Sequence, residues 1–167
     1  NTVANQAAGI IQNSFVVENT RQRAMRSDAL RRIASLSVST SSLDEILQVS
    51  LQELARLFQS DLAAIFLLDE QVGELRVHAS SVIGTTADST GPLARLHVDE
   101  PQYRFTVSGS RELFMSGHMS SDRRVLPVYR PLVTALLVES AIVVPLVLRD
   151  RSLGELILGS RKTEFFN

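Results

Sequence analysis

Hydrophobic residues recur every three or four positions through residues 1–40, a segment that has no proline and has Gly9 as its single glycine. This spacing is typical of an amphipathic helix, because it places the apolar side chains on one face. Such a helix buries its apolar stripe only against a domain or against a second copy of itself. We therefore predict a long N-terminal helical arm over residues 1–40.

A second helix begins at a sharper signal, the sequence Ser42-Leu43-Asp44-Glu45. A serine followed three residues later by a glutamate forms a capping box, in which each side chain bonds the backbone N–H of the other residue. Leucine, isoleucine and phenylalanine then recur at helical spacing as far as Phe58. The pattern predicts one helix that packs its apolar face on a sheet.

Two pairs of apolar runs are each separated by a short polar turn, which is the pattern of an antiparallel hairpin. These runs, together with one further short strand, are expected at residues 63–68, 74–80, 142–148, 153–159 and 94–98. Pro145 lies inside the third run although proline lacks a backbone donor. We therefore expect a bulge or an interrupted pairing beside it.

The middle of the chain shows the patterns of a loop and of short helical segments. Residues 84–92 have the composition of a loop. Residues 101–117 predict one or two helical turns that end at Gly117, and Pro131 marks the first turn of a helix in "VYRPLVTALLVES". Hairpins in one sheet with helices outside it define an α+β fold, here an antiparallel sheet of five to six strands with helices on both faces.

Composition excludes several classes of function. The 167 residues include no cysteine, so disulfides, thiolate metal sites and thiol catalysis are ruled out. The net charge of −1 differs from the basic excess of nucleic-acid-binding proteins. No run in this sequence resembles a membrane span or a secretory signal. We therefore expect a cytoplasmic domain that contacts neither nucleic acid nor membrane.

Several stretches resemble the GAF domain, the small-molecule-binding sensory module of many signalling proteins. They are the capped helix that leads into "DLAAIFLLDEQVGELRV", the hairpin "VESAIVVPLVLRDRSLGELILG" and the terminal "EFF". In that family a serine begins the penultimate core strand, a Pro-Leu pair follows, and a strand of Gly-x-Leu type returns. The corresponding residues are Ser140, Pro145, Leu146, Gly154 and Leu156.

The resemblance implies a GAF-like fold, profilin-like and related to the PAS domain, over residues 41–167, without the helix that usually follows its last strand. Residues 1–40 would then be a signalling helix through which the protein forms a homodimer. The implied function is small-molecule sensing within a longer bacterial signal-transduction protein, a histidine kinase of a two-component system or a cyclic-dinucleotide enzyme. Ligand or an upstream signal would alter helix packing in the dimer. The alternative is a ligand-free module for dimerisation and signal relay.

In GAF domains the ligand, where one is known, lies between the sheet and a roof of central loops and helices. The roof corresponds here to residues 82–139. Aromatic, soft and polar side chains of the roof, with two from the strands, are the candidate ligand-binding residues. They are Phe66, His97, Phe105, Phe114, Met115, Tyr129, Arg130 and Val144. These residues either line a pocket or simply fill the space.

This sequence has few of the residues that hold cofactors or carry out catalysis in the family. Because the family attaches bilins through cysteine and its sulfoxide reductases use thiols, a covalent bilin and that reaction are both excluded. Haem, a less favoured reading, would need His97 or His118 as its axial ligand. The histidines lack metal-site spacing, and the chain has no phosphate-binding loop or catalytic motif. We expect no enzymatic activity, no metal site and a cofactor that the sequence does not identify.

Overall fold

The chain divides into two units, Asn1–Ser41 and Ser42–Asn167. The structure, a computed structural model, describes residues 42–69, 71–83, 96–97, 101 and 103–167, with positions 24, 27, 28 and 31 of the first unit; the side chains of 77–83 and 96–97 are not described. Those four positions are helical, and Arg31 pairs with Asp28 one turn earlier. The rest of the predicted arm and the predicted loop over 84–92 lie outside the described residues.

The helix α1 (Leu43–Leu57) begins at the predicted capping box. The Ser42 hydroxyl accepts a hydrogen bond from the Glu45 N–H at 3.3 Å, and the Glu45 carboxylate accepts one from the Ser42 N–H at 3.1 Å. Both bonds satisfy donors that a helix start leaves without an intrahelical partner. The sequence therefore determines where this helix begins.

Within the described residues, six antiparallel strands form one sheet in the order β3-β2-β1-β6-β5-β4. Their bounds are β1 (Leu62–Asp69), β2 (Glu74–Ile83), β3 (Leu96–His97), β4 (Phe114–Ser116), β5 (Ser140–Leu148) and β6 (Arg151–Ser160). Chain neighbours β1 and β2, and β5 and β6, form the two predicted hairpins. The pairing of β1 with β6 joins them, so the strands distant in sequence meet at the centre of the sheet.

Pro145 lies on β5 beyond the residues that pair with β4. Among the described residues, β4 pairs with Ala141, Ile142 and Val143, so no described strand lies beside β5 beyond that point. The register between β5 and β6 shifts between Leu146 and Val147, which confirms the expected irregularity. Proline lacks an N–H for the ladder and is found in sheets at edges and bulges, and both features lie beside Pro145.

Both faces of the central strands are buried. Ala63 and Ile65 of β1 face α1, where they pack with Leu51, whereas Ala64 and Phe66 face the roof. The roof closes its face of the sheet with Val107, Met119, Val128, Tyr129, Leu132, Leu136 and Val138. Each large apolar side chain buried in this way contributes about 1.5–3 kcal/mol. The predicted layering, with helices on both faces of the sheet, is confirmed.

The roof departs from the prediction in its details. Residues 114–116 form β4, so the helix end expected at Gly117 is wrong; the short helix α2 (Val107–Ser110) ends instead at Arg111, whose φ is 60°. The helix α3 (Arg130–Thr134) carries Pro131 in its first turn as predicted, but it is much shorter than the apolar stretch that suggested it. Three-residue strands are set by pairing with a neighbour, here β5, and local pattern does not reveal that neighbour. No helix in the described part of the chain is long and apolar enough to cross a membrane.

Gly154 is required where β6 passes close to β1. Its φ is 147°, and a Cβ atom added there would lie 1.9 Å from the carbonyl oxygen of Phe66. A contact that short forces the two central strands apart. The position therefore selects glycine for space as well as for backbone conformation.

We predict that Gly154→Ala destabilises the domain by about 3 kcal/mol, since backbone must move to remove the clash. The matched control is Gly73→Ala in the β1–β2 turn, where φ is 71° but no heavy atom lies within 4 Å of the added Cβ. This control should lose only about 1 kcal/mol, the cost of the left-handed conformation. Urea unfolding of the three proteins measures both values, and equal losses would contradict the assignment.

Asp61 ties the start of β1 to the end of β6. Its carboxylate accepts hydrogen bonds from the Ser160 hydroxyl at 3.0 Å and from the Arg161 N–H at 2.8 Å. The bond from the Arg161 N–H is the main cause that lowers the pKa of Asp61 from its usual 3.8, against the opposing effect of burial. Because the folded-state pKa is the lower one, this stabilisation is present above the usual pKa and is lost as the pH falls through the folded-state value.

Asp61→Asn should therefore lower the free energy of unfolding by about 0.5–1 kcal/mol at neutral pH, a modest value for a pair near the surface. The difference from the unsubstituted protein should shrink as the pH falls below the usual aspartate pKa of 3.8. Thermal unfolding at a series of pH values measures it. A difference that stays constant through the acid range would show that the charge of Asp61 is not what stabilises the fold.

Candidate functional site

A buried carboxylate lies between the sheet and the roof. Glu155 is on β6, with its side chain on the roof face, and only 1% of the residue is exposed. Its register partners are Phe66 on β1 and Pro145 on β5, two residues without a polar side chain. Burying a carboxylate among apolar neighbours is costly unless hydrogen bonds compensate for the lost water.

The roof supplies those hydrogen bonds. The Ser108 N–H donates to Oε1 of Glu155 at 2.8 Å, and the Ser108 hydroxyl donates to the same oxygen at 2.7 Å. The Tyr129 hydroxyl donates to Oε2 at 2.8 Å and itself accepts from the Val107 N–H at 3.1 Å. Two roof segments, α2 and the 3₁₀ turn Pro127–Tyr129, are thus attached to one side chain of the sheet.

A local turn presents Ser108 to the carboxylate. Thr106 caps α2: its hydroxyl accepts from the Gly109 N–H at 3.1 Å and donates to the Tyr103 carbonyl at 2.6 Å. Gly109 permits this turn, because a Cβ there would lie 2.1 Å from the same carbonyl oxygen. The Thr106–Gly109 segment thereby holds the Ser108 N–H and hydroxyl in directions that converge on one point.

Electrostatics keep the Tyr129 hydroxyl a donor. Burial, and after it the charge of Glu155, raises the pKa of Tyr129 well above its usual value, so the phenol stays protonated. The donors that the described residues offer to Glu155 are all neutral groups. Hydrogen bonds to a carboxylate are stronger than bonds between neutral groups, so these three bonds compensate for the burial of the Glu155 side chain.

The structure brings three of the predicted ligand residues together at this site. Phe66 and Tyr129 are in the buried cluster on the roof face, and half-buried Phe114 packs against it. The Phe114 and Tyr129 rings stack, with centroids 6.4 Å apart and planes 12° apart. Of the three, Tyr129 bonds the Glu155 carboxylate and Phe66 is its register partner, while Phe114 packs on Tyr129.

The other predicted residues lie elsewhere. Phe105 is 60% exposed and lies under the Arg104 guanidinium, and Arg130 is also exposed. Val144 pairs with Leu156 on the face of the sheet that packs toward α1. The backbone of His97 pairs with Glu74 in the β2–β3 ladder, and its side chain is not described. Met115 is 37% exposed on β4.

Sequence reasoning missed Glu155 and Ser108. The available signal for Glu155 was a charge within "LGELILG", a predicted strand that is otherwise apolar. Such a charge indicates either a bulge or a buried polar contact. For Ser108 no comparable signal exists, since serine is common in loops.

A second feature is a surface groove of about 500 Å³ beside β4. It is lined by Met115, Ser116, Gly117, His118, Asp122, Arg124 and Asn167. Two of its polar side chains have close partners: Arg124 bonds Asp122 at 2.7 Å, and Nε2 of His118 lies 3.2 Å from the Glu164 carboxylate. The Arg124 hydrogen bonds hold the pKa of Asp122 far below its usual range. Within the part of the chain that the structure describes, no group of acidic or histidine side chains is arranged to hold a metal.

The described residues form a six-stranded antiparallel sheet with a helix on one face and an irregular roof on the other. The family model described as "GAF domain" matches residues 42–167. The chain belongs to the GAF family, a sensory and regulatory module of signalling proteins. No curated protein matches the chain.

Solved structures share the fold at low sequence identity. The GAF domain of an Acinetobacter phosphoenolpyruvate-protein phosphotransferase superposes with a TM-score of 0.64 at 23% identity, over 84% of this chain and 79% of that one. A free methionine-R-sulfoxide reductase from Neisseria meningitidis, in complex with its substrate, gives 0.65 at 18% identity, over 88% and 79%. The phycocyanobilin-bound GAF domain of a cyanobacterial phytochrome gives 0.61 at 18% identity, over 83% and 81%. These similarities establish the fold alone.

We predict that Glu155→Gln and Tyr129→Phe each destabilise the domain by about 1–3 kcal/mol, because each leaves buried polar atoms without a partner. The double variant should lose less than the sum, since both changes break the same hydrogen bond. Ser120→Ala is the control: its hydroxyl bonds Glu139 at 3.0 Å on the exposed surface, so its loss should be small. Chemical denaturation measures all four variants. Losses that add fully would refute a direct Glu155–Tyr129 contact.

Proposed function

We propose that this chain is the regulatory domain of a cytoplasmic bacterial signal-transduction protein, a histidine kinase or a cyclic-dinucleotide enzyme. In this proposal a small molecule or an upstream signal changes how the roof lies on the sheet. The change passes through the sheet to the helices on its other face and alters their packing in a homodimer. The domain itself catalyses no reaction, in keeping with its lack of cysteine and its membership of a regulatory family.

The observation that carries the proposal is the attachment of the roof to the sheet through Glu155. Two separate roof segments meet one side chain of a central strand. The same strand lies beside β1, whose opposite face packs on α1. A displacement of the roof would therefore change the strand that supports α1, and α1 follows the N-terminal unit directly in the chain. This is the physical continuity that signal transfer requires.

A second candidate function is ligand-free relay, in which the domain fixes dimer geometry and transmits motion without binding a small molecule. The observation that favours it is the saturation of the roof donors. Ser108 and Tyr129 already bond Glu155, so their polar groups are not free to recognise a ligand. Both candidates require the roof to be coupled to the dimer, and they differ in whether a small molecule is bound.

Disulfide cross-linking tests the coupling between the roof and the dimer. Because the chain has no native cysteine, only the introduced thiols can react. Ala24→Cys and Ser27→Cys each place one thiol in the helical part of the N-terminal unit. We expect at least one of them to form an intermolecular disulfide under mild oxidation. Adding Tyr129→Phe should change the rate about twofold or more, because it weakens the roof contact.

The matched control is Phe105→Ala, which alters an exposed roof residue that does not touch Glu155. It should leave the cross-linking rate unchanged. Monomeric protein in light scattering, or equal rates with and without Tyr129→Phe, would contradict the proposal. Native mass spectrometry of the same chain then separates the two candidates: bound small molecules support sensing, and bare dimer supports relay.

A further inference from the structure

We propose that Ser108 and Tyr129 form a receptor for a carboxylate group, which the chain fills with its own Glu155 and which accepts a free carboxylate of acetate size once that side chain is shortened. Glu155 of the sheet is thus the ligand of this roof site. The inference concerns this one contact and does not depend on the parent protein or on the dimer.

The geometry is that of a recognition site and not of a chance contact. Donors from two separate segments converge on the two oxygens at 2.7–2.8 Å. Ser108 and Tyr129 are themselves buried, with 1% and 4% of their surface exposed. The Val107 N–H bonds the Tyr129 hydroxyl, and the Thr106 cap fixes α2, so the donors are held by groups other than Glu155. A receptor whose donors are held independently of the ligand keeps its shape when that ligand is removed.

The donor set selects for charge. The Ser108 N–H can only donate, and the Tyr129 hydroxyl, which accepts from the Val107 N–H, directs its proton at the second oxygen. Each oxygen of the ligand must therefore be an acceptor. A carboxylate satisfies this requirement at both oxygens, whereas a carboxamide would point its own donor at Ser108 or Tyr129.

The site also selects for size. Glu155→Ala removes Cγ, Cδ and the two oxygens, which are the same number of heavy atoms as an acetate ion contains. The space that these four atoms leave between β6 and the roof is of acetate size, and a bound acetate must shift far enough to turn the former Cβ–Cγ bond into a van der Waals contact. In the unsubstituted protein the tethered carboxylate has a high effective concentration, so a free acid competes poorly.

The test is thermal unfolding of Glu155→Ala at neutral pH in sodium acetate and in sodium chloride of equal ionic strength. Loss of the carboxylate should lower the Tm in chloride. Acetate should restore about 3–5 °C at a concentration about tenfold above its dissociation constant, with a saturating dose response. The unsubstituted protein should show no difference between the two salts. Ten times more acetate should be needed when Tyr129→Phe is added to Glu155→Ala, since one donor is gone.

Acetamide is the matched neutral probe and should have no effect on Glu155→Ala. Equal stabilisation by acetamide, or equal stabilisation of the unsubstituted protein by acetate, would overturn the proposal in favour of a general solvent effect. Should Glu155→Ala not fold in chloride, refolding yield in acetate replaces the Tm as the measurement. Failure of Glu155→Ala to fold in both salts would also overturn the proposal, because acetate should fill an intact receptor and restore folding.

Discussion

The Glu155 carboxylate, buried on the roof face of the sheet, constrains the roof segments that cover it. Glu155 has apolar register partners on both neighbouring strands, so its hydrogen bonds must come from above the sheet. Only a roof that descends far enough to place a backbone N–H and two hydroxyls at the carboxylate satisfies this need. An unpaired carboxylate there would cost far more than any single apolar contact gains. The irregular roof is therefore held by a specific polar contact as well as by apolar packing.

The hairpin of β5 and β6 makes this arrangement possible. Gly154 lets β6 approach β1 closely, which brings the strand carrying Glu155 into the centre of the sheet. Pro145, opposite Glu155, lies where β4 no longer runs beside β5. The residues that resemble the family motif thus serve the sheet, and Glu155, which bonds the roof, lies between two of them, Gly154 and Leu156.

Proteins of this fold can carry out different tasks. The solved structures similar to this one include a reductase with its substrate and a phytochrome domain with a bilin, and their identities to this chain are 18%. Function belongs to sites and not to folds, so a shared fold does not decide what a domain holds. In this chain the roof donors bond a side chain of the sheet.

The sequence alone determined the parts of the structure that depend on local chemistry. The capping box at Ser42, the two hairpins, the layered α+β sheet and the family followed from side-chain periodicity, turn residues and a short motif. Tertiary structure decided the rest. Phe114 and Tyr129 stack although fifteen positions separate them, and Ser108 bonds a carboxylate 47 positions away. Local pattern does not encode such contacts, because they arise only when the roof and the sheet are packed together; the same reason hid β4, which exists only through its pairing with β5.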